Sequence, residues 1–254
     1  MKNFRHPQRP KKSSLIIGVT AVMDALKSGE ALDRIYLDNL LKGEQAGEIR
    51  KLASLHNVPV NYVPRAKLDS FNVADHQGCI AQKAKVHYYA LQDIISQVTD
   101  KGEAALFLML DGITDIRNIG GIARTAWCCG VNAIIIPDKG VGALNDDAIL
   151  TSAGALEQLP VCRVNSLLKA VDELHLNGIS VFATEMKASK TIIEADFRLP
   201  CAIIMGSEEK GIYPALLKSC DETLRIPMVT SFESLNVSVA TGMVLYEVMR
   251  QRLS

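Results

Sequence analysis

From about residue 105 onward, short apolar runs alternate with longer stretches in which apolar residues recur every three or four positions. The runs lie at 105–110, 132–137, 179–184, 201–205 and 222–227. Strands that are apolar throughout are buried on both faces, so these runs predict a parallel sheet covered by helices. Helical periodicity falls at 119–129, 145–157, 166–177, 212–219 and 236–252. The first third of the chain repeats the alternation more weakly. It predicts helices at 20–28, closed by Gly29, and at 44–56, with a short helical stretch at 67–71. Strands fall at 34–38, at 58–63 and at the end of "HQGCIAQKA" (76–84). Residues 88–102 read as a helical connection stopped at Gly102. The pattern therefore predicts an α/β protein of two domains, 15–86 and 104–254, joined by a linker at 87–103 and preceded by a flexible tail at 1–14.

Composition narrows this picture. A chain of 254 residues with 48% apolar and 22% charged residues is an ordinary globular protein. No apolar run is long enough to span a membrane, and the polar N-terminus lacks the hydrophobic core of a secretory signal. Six cysteines, Cys79, Cys128, Cys129, Cys162, Cys201 and Cys220, include no Cys-x-x-Cys pair and mostly lie in apolar stretches. They predict reduced, buried thiols in a cytoplasmic protein. The five histidines are scattered, and no cluster has metal-ligand spacing, which argues against a catalytic metal. The formal net charge of zero hides a split. Residues 1–85 carry 14 Lys/Arg against 8 Asp/Glu, and residues 86–254 carry 14 against 20. The first 14 residues hold five Lys/Arg and no acid. Such asymmetry suggests a basic region for a polyanion joined to a more acidic body.

In open parallel sheets, ligands bind beyond the carboxyl ends of the strands, so the residues after each apolar run are the candidates for chemistry. After 105–110 come Asp111, Asn118, Gly120, Gly121 and Arg124. After 201–205 comes "GSEEKGI", with Gly206, Ser207, Glu208, Glu209 and Gly211. After 222–227 the final helix opens on Ser234, Asn236 and Ser238, three polar residues where a cap requires one. Each loop alone also reads as a turn, a surface arginine or a helix cap. None contains a dinucleotide or P-loop glycine pattern.

Taken in order, "NIGGIAR", "GSEEKGI" and "IPM…SLNVSVA" resemble the three motifs of the SpoU (TrmH-like) family of RNA ribose 2′-O-methyltransferases. Upstream, "GVTAVMDAL" and "HQGCIAQKA" resemble the small L30e-like substrate-binding domain of some members. The full arrangement is most similar to members acting on a guanosine of 23S rRNA. The resemblance implies a SPOUT domain closed by a deep trefoil knot, S-adenosyl-L-methionine as cofactor, RNA as partner and a homodimer with the active site completed across the interface. It implies that Gly206, Ile226 and Leu235 hold the cofactor, largely through backbone groups. By the same resemblance, Asn118, Arg124, Glu208, Ser234 and Asn236 form the catalytic set, with Glu208, Ser234 and Asn236 expected to position the nucleotide or help carry its proton away. Arg124 matches an arginine for which a general-base role has been proposed. A guanidinium stays protonated in proteins, so a fixed cation is the sounder role. Asn118 is expected to orient the ribose or Arg124, and Asn236 and Ser234 also fit as caps of the last helix. A tRNA target, an antibiotic-resistance rRNA methyltransferase and a catalytically silent RNA-binding protein remain as alternatives.

Overall fold

The computed structural model describes residues 14–230 and 234–253, so most of the basic tail lies outside the described residues. The chain divides into two compact units, residues 1–85 and 86–254. In the first, strands β1 (Leu15–Ile17), β2 (Leu32–Asp38), β3 (Val60–Val63) and β4 (Cys79–Lys83) form a sheet in the order β1-β4-β2-β3. Only the β2–β3 pair is parallel. Helices α1 (Val19–Lys27) and α2 (Glu44–Leu55) cover one face. There Val22, Leu26, Ile35, Leu37 and Ile49 are withdrawn from water. The short α3 (Arg65–Asp69) sits on the other face, with Leu68 packed near Leu15 and Ile80.

The second unit holds eight strands, all parallel to their neighbours: β5 (Tyr88–Tyr89), β6 (Leu106–Asp111), β7 (Ala133–Pro137), β8 (Val161–Val164), β9 (Ser180–Thr184), β10 (Lys190–Thr191), β11 (Cys201–Gly206) and β12 (Glu222–Arg225). Their order is β10-β12-β9-β11-β6-β7-β8-β5. Side chains alternate across β6. Leu106, Leu108 and Leu110 face α5 (Ile116–Cys128), α6 (Asp146–Thr151), α7 (Ala155–Gln158) and α10 (Val237–Leu253). Phe107 and Met109 face α4 (Leu91–Asp100), α8 (Leu167–Leu176) and α9 (Pro214–Ser219). The sheet grows outward from β6 through β7 to β8 and then reverses to β9, with β11 between β6 and β9. That reversal is the switch point at which α/β sheets open a ligand crevice.

Several elements differ from the sequence expectation. The stretch expected to link the domains, 87–103, is built into the second unit. Its β5 pairs with β8, and α4 buries Leu91, Ile94, Ile95 and Val98. Each such side chain gains roughly 1.5–3 kcal/mol on burial, so this amphipathic face is drawn into the core rather than left in water. The helix expected at 145–157 is broken in two, because Ala153 and Gly154 both adopt left-handed conformations, φ 52° and 84°. The strands β1, β5, β8 and β10 are short and lack a long apolar run, and periodicity passed over them. Not every cysteine is buried either. Cys79, Cys162 and Cys201 are, but Cys128 is exposed at the end of α5, and Cys129 and Cys220 are half-buried. Burial pushes the Cys79 and Cys162 thiols up to about 12, which leaves them inert.

Candidate active site

The final helix, α10, is held by an apolar stripe, Val237, Val244, Leu245 and Val248, packed on the sheet and on α5. Its first turn needs acceptors for its free N–H groups. Asn236 supplies one: its Oδ1 accepts from Ser238 N at 3.0 Å and Val239 N at 3.4 Å. Glu208, from the loop after β11, supplies the other, with Oε1 accepting from Val237 N at 3.1 Å. The same Oε1 accepts from Asn236 Nδ2 at 2.8 Å and from Asn118 Nδ2, in α5, at 3.3 Å. Asn236 Nδ2 also donates to Asn118 Oδ1 at 3.0 Å. The first turns of α5 and α10, far apart in sequence, thus converge on one carboxylate oxygen from the loop after β11.

Beside this cluster lies a cleft of about 520 Å³. Met205, Leu224, Met228, Val237 and Ala240 give it apolar walls, and Gly206, Ile226 and Leu235 lie along it. Glu208 and Ser234 line it as well. The loop 207–211 closes on itself, with Ser207 N donating to Gly211 O at 3.2 Å and Gly211 N to Ser207 O at 2.9 Å. Asp111 ties the far end of this loop to β6 by accepting from Tyr213 N at 2.7 Å. A Cβ on Gly206 would lie 2.4 Å from Gly211 C and 2.6 Å from its O, so no side chain fits there.

The glycines of "NIGGIAR" serve helix packing. A Cβ on Gly120 would meet Thr151 Cβ at 2.6 Å, and one on Gly121 would meet Ser238 Oγ at 2.9 Å. The three polar residues that open α10 therefore divide their work: Asn236 caps, Ser238 packs against Gly121, and Ser234 lines the cleft. Arg124 stands apart. It is exposed on α5, does not line the cleft, and has no hydrogen-bond or ion-pair partner among the described residues. The expectation that Asn118 orients Arg124 has no bond behind it here; Asn118 reaches Glu208 and Asn236 instead. The end of β9 and the residues that follow it, Thr184 to Lys187, also line the cleft, as does Arg225. The sequence reading passed over the first of these, although the strand-end rule applies to "ATEMK" as it does to the other loops.

Residues 105–246 match the SpoU rRNA Methylase family. The chain belongs to that family. Residues 15–89 of this SpoU methylase match the RNA 2′-O ribose methyltransferase substrate-binding family. A TrmH family protein of Bacillus subtilis, assigned to tRNA/rRNA methylation, is 37% identical over 238 residues, covering 93% of this chain and 95% of its own. The SpoU methyltransferase AviRb from Streptomyces viridochromogenes, solved with AdoMet, shares the fold at a TM-score of 0.60. It is 24% identical, covering 94% of this chain and 90% of its own. The A. aeolicus TrmH/SpoU tRNA modifying enzyme, 27% identical at a TM-score of 0.54, covers only 64% of this SpoU methylase and 84% of itself.

Proposed function

We propose that this SpoU methylase transfers a methyl group from S-adenosyl-L-methionine to a ribose 2′-hydroxyl of RNA, with a guanosine of 23S rRNA as the target. The observation that carries the reading is the convergence of Asn118 and Asn236 on Glu208, which lines a cleft walled in part by apolar residues. The residues fit the cofactor. The cleft is of ligand size, and the missing side chain at Gly206 lets the backbone at Gly211 and Ile212 close against the end of β11 along its wall. Gly206, Ile226 and Leu235 hold the cofactor through backbone groups and apolar contact. When bound, the cofactor supplies a methyl group on a positively charged sulfur, which is already an activated leaving group. The chain then has to align the 2′-oxygen and bear its developing charge. Asn118 and Asn236 orient the nucleotide, Ser234 donates from the cleft wall, and Arg124 acts as a fixed cation.

Arg124 lies outside its own cleft because, in this reading, it serves a second copy of the chain. On α10, Val239, Met243, Tyr246 and Leu253 are exposed large apolar residues, and α5 adds Trp127. The two helices pack through small residues, with a Cβ on Gly242 meeting Thr125 Cγ2 at 3.7 Å. A homodimer over this face would cover the apolar stripe and bring Arg124 toward a partner; sedimentation giving a monomer at working concentration would remove this part. The trefoil knot belongs to the same proposal, since β11 occupies a slot between strands laid down earlier, β6 and β9. A crystal structure tracing residues 206–237 unthreaded would count against it.

The rRNA target draws on the residues 1–85 unit. Its sequence is the basic part of the chain and matches a substrate-binding family, whereas the tRNA modifying enzyme covers only 64% of this chain. A cytoplasmic location fits six cysteines without a disulfide. Calorimetry tests the cofactor assignment. S-adenosylmethionine and S-adenosylhomocysteine are expected to bind the intact chain, NAD and ATP are not, and Gly206→Ala is expected to abolish binding. Absence of binding to the intact chain, with and without RNA, sinks the reading.

A further inference from the structure

We propose that Glu208 Oε2 takes the proton from the ribose 2′-hydroxyl during methyl transfer. This rests on the reading above and assigns the one group that reading leaves open. As the bond from the 2′-oxygen to the methyl carbon forms, the carbon–sulfur bond breaks and its electron pair stays on sulfur. The hydroxyl proton must leave, and it needs an acceptor in a fixed place.

The side-chain amides of Asn118 and Asn236 have no basic site, and the Arg124 guanidinium already holds its proton. Glu208 is the anion of the cluster. Its Oε1 is committed to three N–H donors, from Asn118, Asn236 and Val237, at 3.3, 2.8 and 3.1 Å. Those bonds come from two helices and fix the carboxylate plane. Its Oε2 accepts no bond among the described residues, on a side chain that lines the cleft. Glu185 and Glu209 also line the cleft, but no side-chain oxygen of either accepts a bond among the described residues, so neither is held in position. One oxygen of Glu208 thus serves as the scaffold and leaves the other free for the substrate.

Glu208→Gln separates the two duties. The amide oxygen can still accept the three N–H bonds, and the amide nitrogen replaces Oε2 with a group that takes no proton. In single-turnover assays at saturating RNA and cofactor, this variant is expected to lose about 10²–10⁴-fold in rate. Its affinity for S-adenosylhomocysteine, measured by calorimetry, should stay within about threefold. Its remaining rate should rise with pH more steeply than the wild-type rate, because hydroxide must then do the work. Glu208→Asp keeps a carboxylate at shorter reach and should be faster than Glu208→Gln. A merely structural Glu208 predicts the reverse order, since Gln preserves both length and acceptor. A Gln variant as fast as wild type, a Gln variant faster than Asp, or a loss of rate that comes with a loss of S-adenosylhomocysteine binding would overturn the proposal. A wild-type chain that binds no S-adenosylhomocysteine would instead remove the underlying function.

Discussion

Arg124 is exposed, has no partner among the described residues and does not line the cleft, which is an unusual position for the catalytic role proposed for it. A surface arginine with only a solvent role would be silent on mutation. The proposed role of Arg124 as a fixed cation acting on the transition state predicts that Arg124→Ala loses about 10²–10³ in single-turnover rate while cofactor affinity is kept. Arg124→Lys keeps the charge but not the planar fork, so it should recover activity in part. Equal, near wild-type rates for both variants would return Arg124 to the surface. At this scale the meeting of Asn118, Glu208 and Asn236 was legible from the three motifs. What the sequence could not convey was how each atom is used. Nothing in "NIGGIAR" distinguishes glycines that admit Thr151 and Ser238 from glycines that admit a ligand. The cap role of Asn236 was legible in "SLNVSVA", but not that its side-chain amide also bonds both Asn118 and Glu208.

The helix α10 carries this cluster at one end and is clamped at the other. Arg252 donates through Nε to Phe197 O at 2.8 Å, through Nη1 to Ala104 O at 2.6 Å, and through Nη2 to Ala105 O and Leu199 O at 3.0 Å each. One turn earlier, the Glu247 carboxylate accepts from Arg250 Nε at 2.9 Å and Nη2 at 2.7 Å, and from Gln251 Nε2 at 2.8 Å. The Arg250 hydrogen bonds hold the Glu247 carboxyl below the usual range, with help from Gln251 and against the pull of burial. Because the folded value lies below the unfolded one, this stabilisation is complete above the ordinary glutamate value and is lost as pH falls through the folded one. Glu247→Gln should therefore cost about 1–2 kcal/mol at neutral pH, between the exposed and buried ranges for ion pairs. The gap to wild type should close in acid, and thermal melts across pH check it; a gap constant with pH contradicts the assignment. Long periodic elements such as this helix and β6 could be read from sequence. The four short strands and the fate of 87–103 could not. They are fixed by pairing with β4, β7, β8 or β12 and by a hydrophobic face that finds its core only in three dimensions.

For the whole molecule, the charge split assigns duties to the two units. A chain beginning at Val86 keeps β5 and both cores of the second unit, so it should fold and bind S-adenosylhomocysteine. It should also lose at least about tenfold in efficiency on rRNA, and the full chain's RNA affinity should fall steeply with salt as lysine and arginine contacts release counterions. An efficiency equal to the full chain would mean that residues 1–85 do not serve the substrate. Most direct is the product itself. Unmethylated 23S rRNA is incubated with the purified chain and S-adenosylmethionine carrying a labelled methyl group, then digested to nucleosides and analysed by mass spectrometry. One labelled 2′-O-methylguanosine is expected, absent with Arg124→Ala. Label on a base, or none on any ribose of the rRNA, is the contrary result.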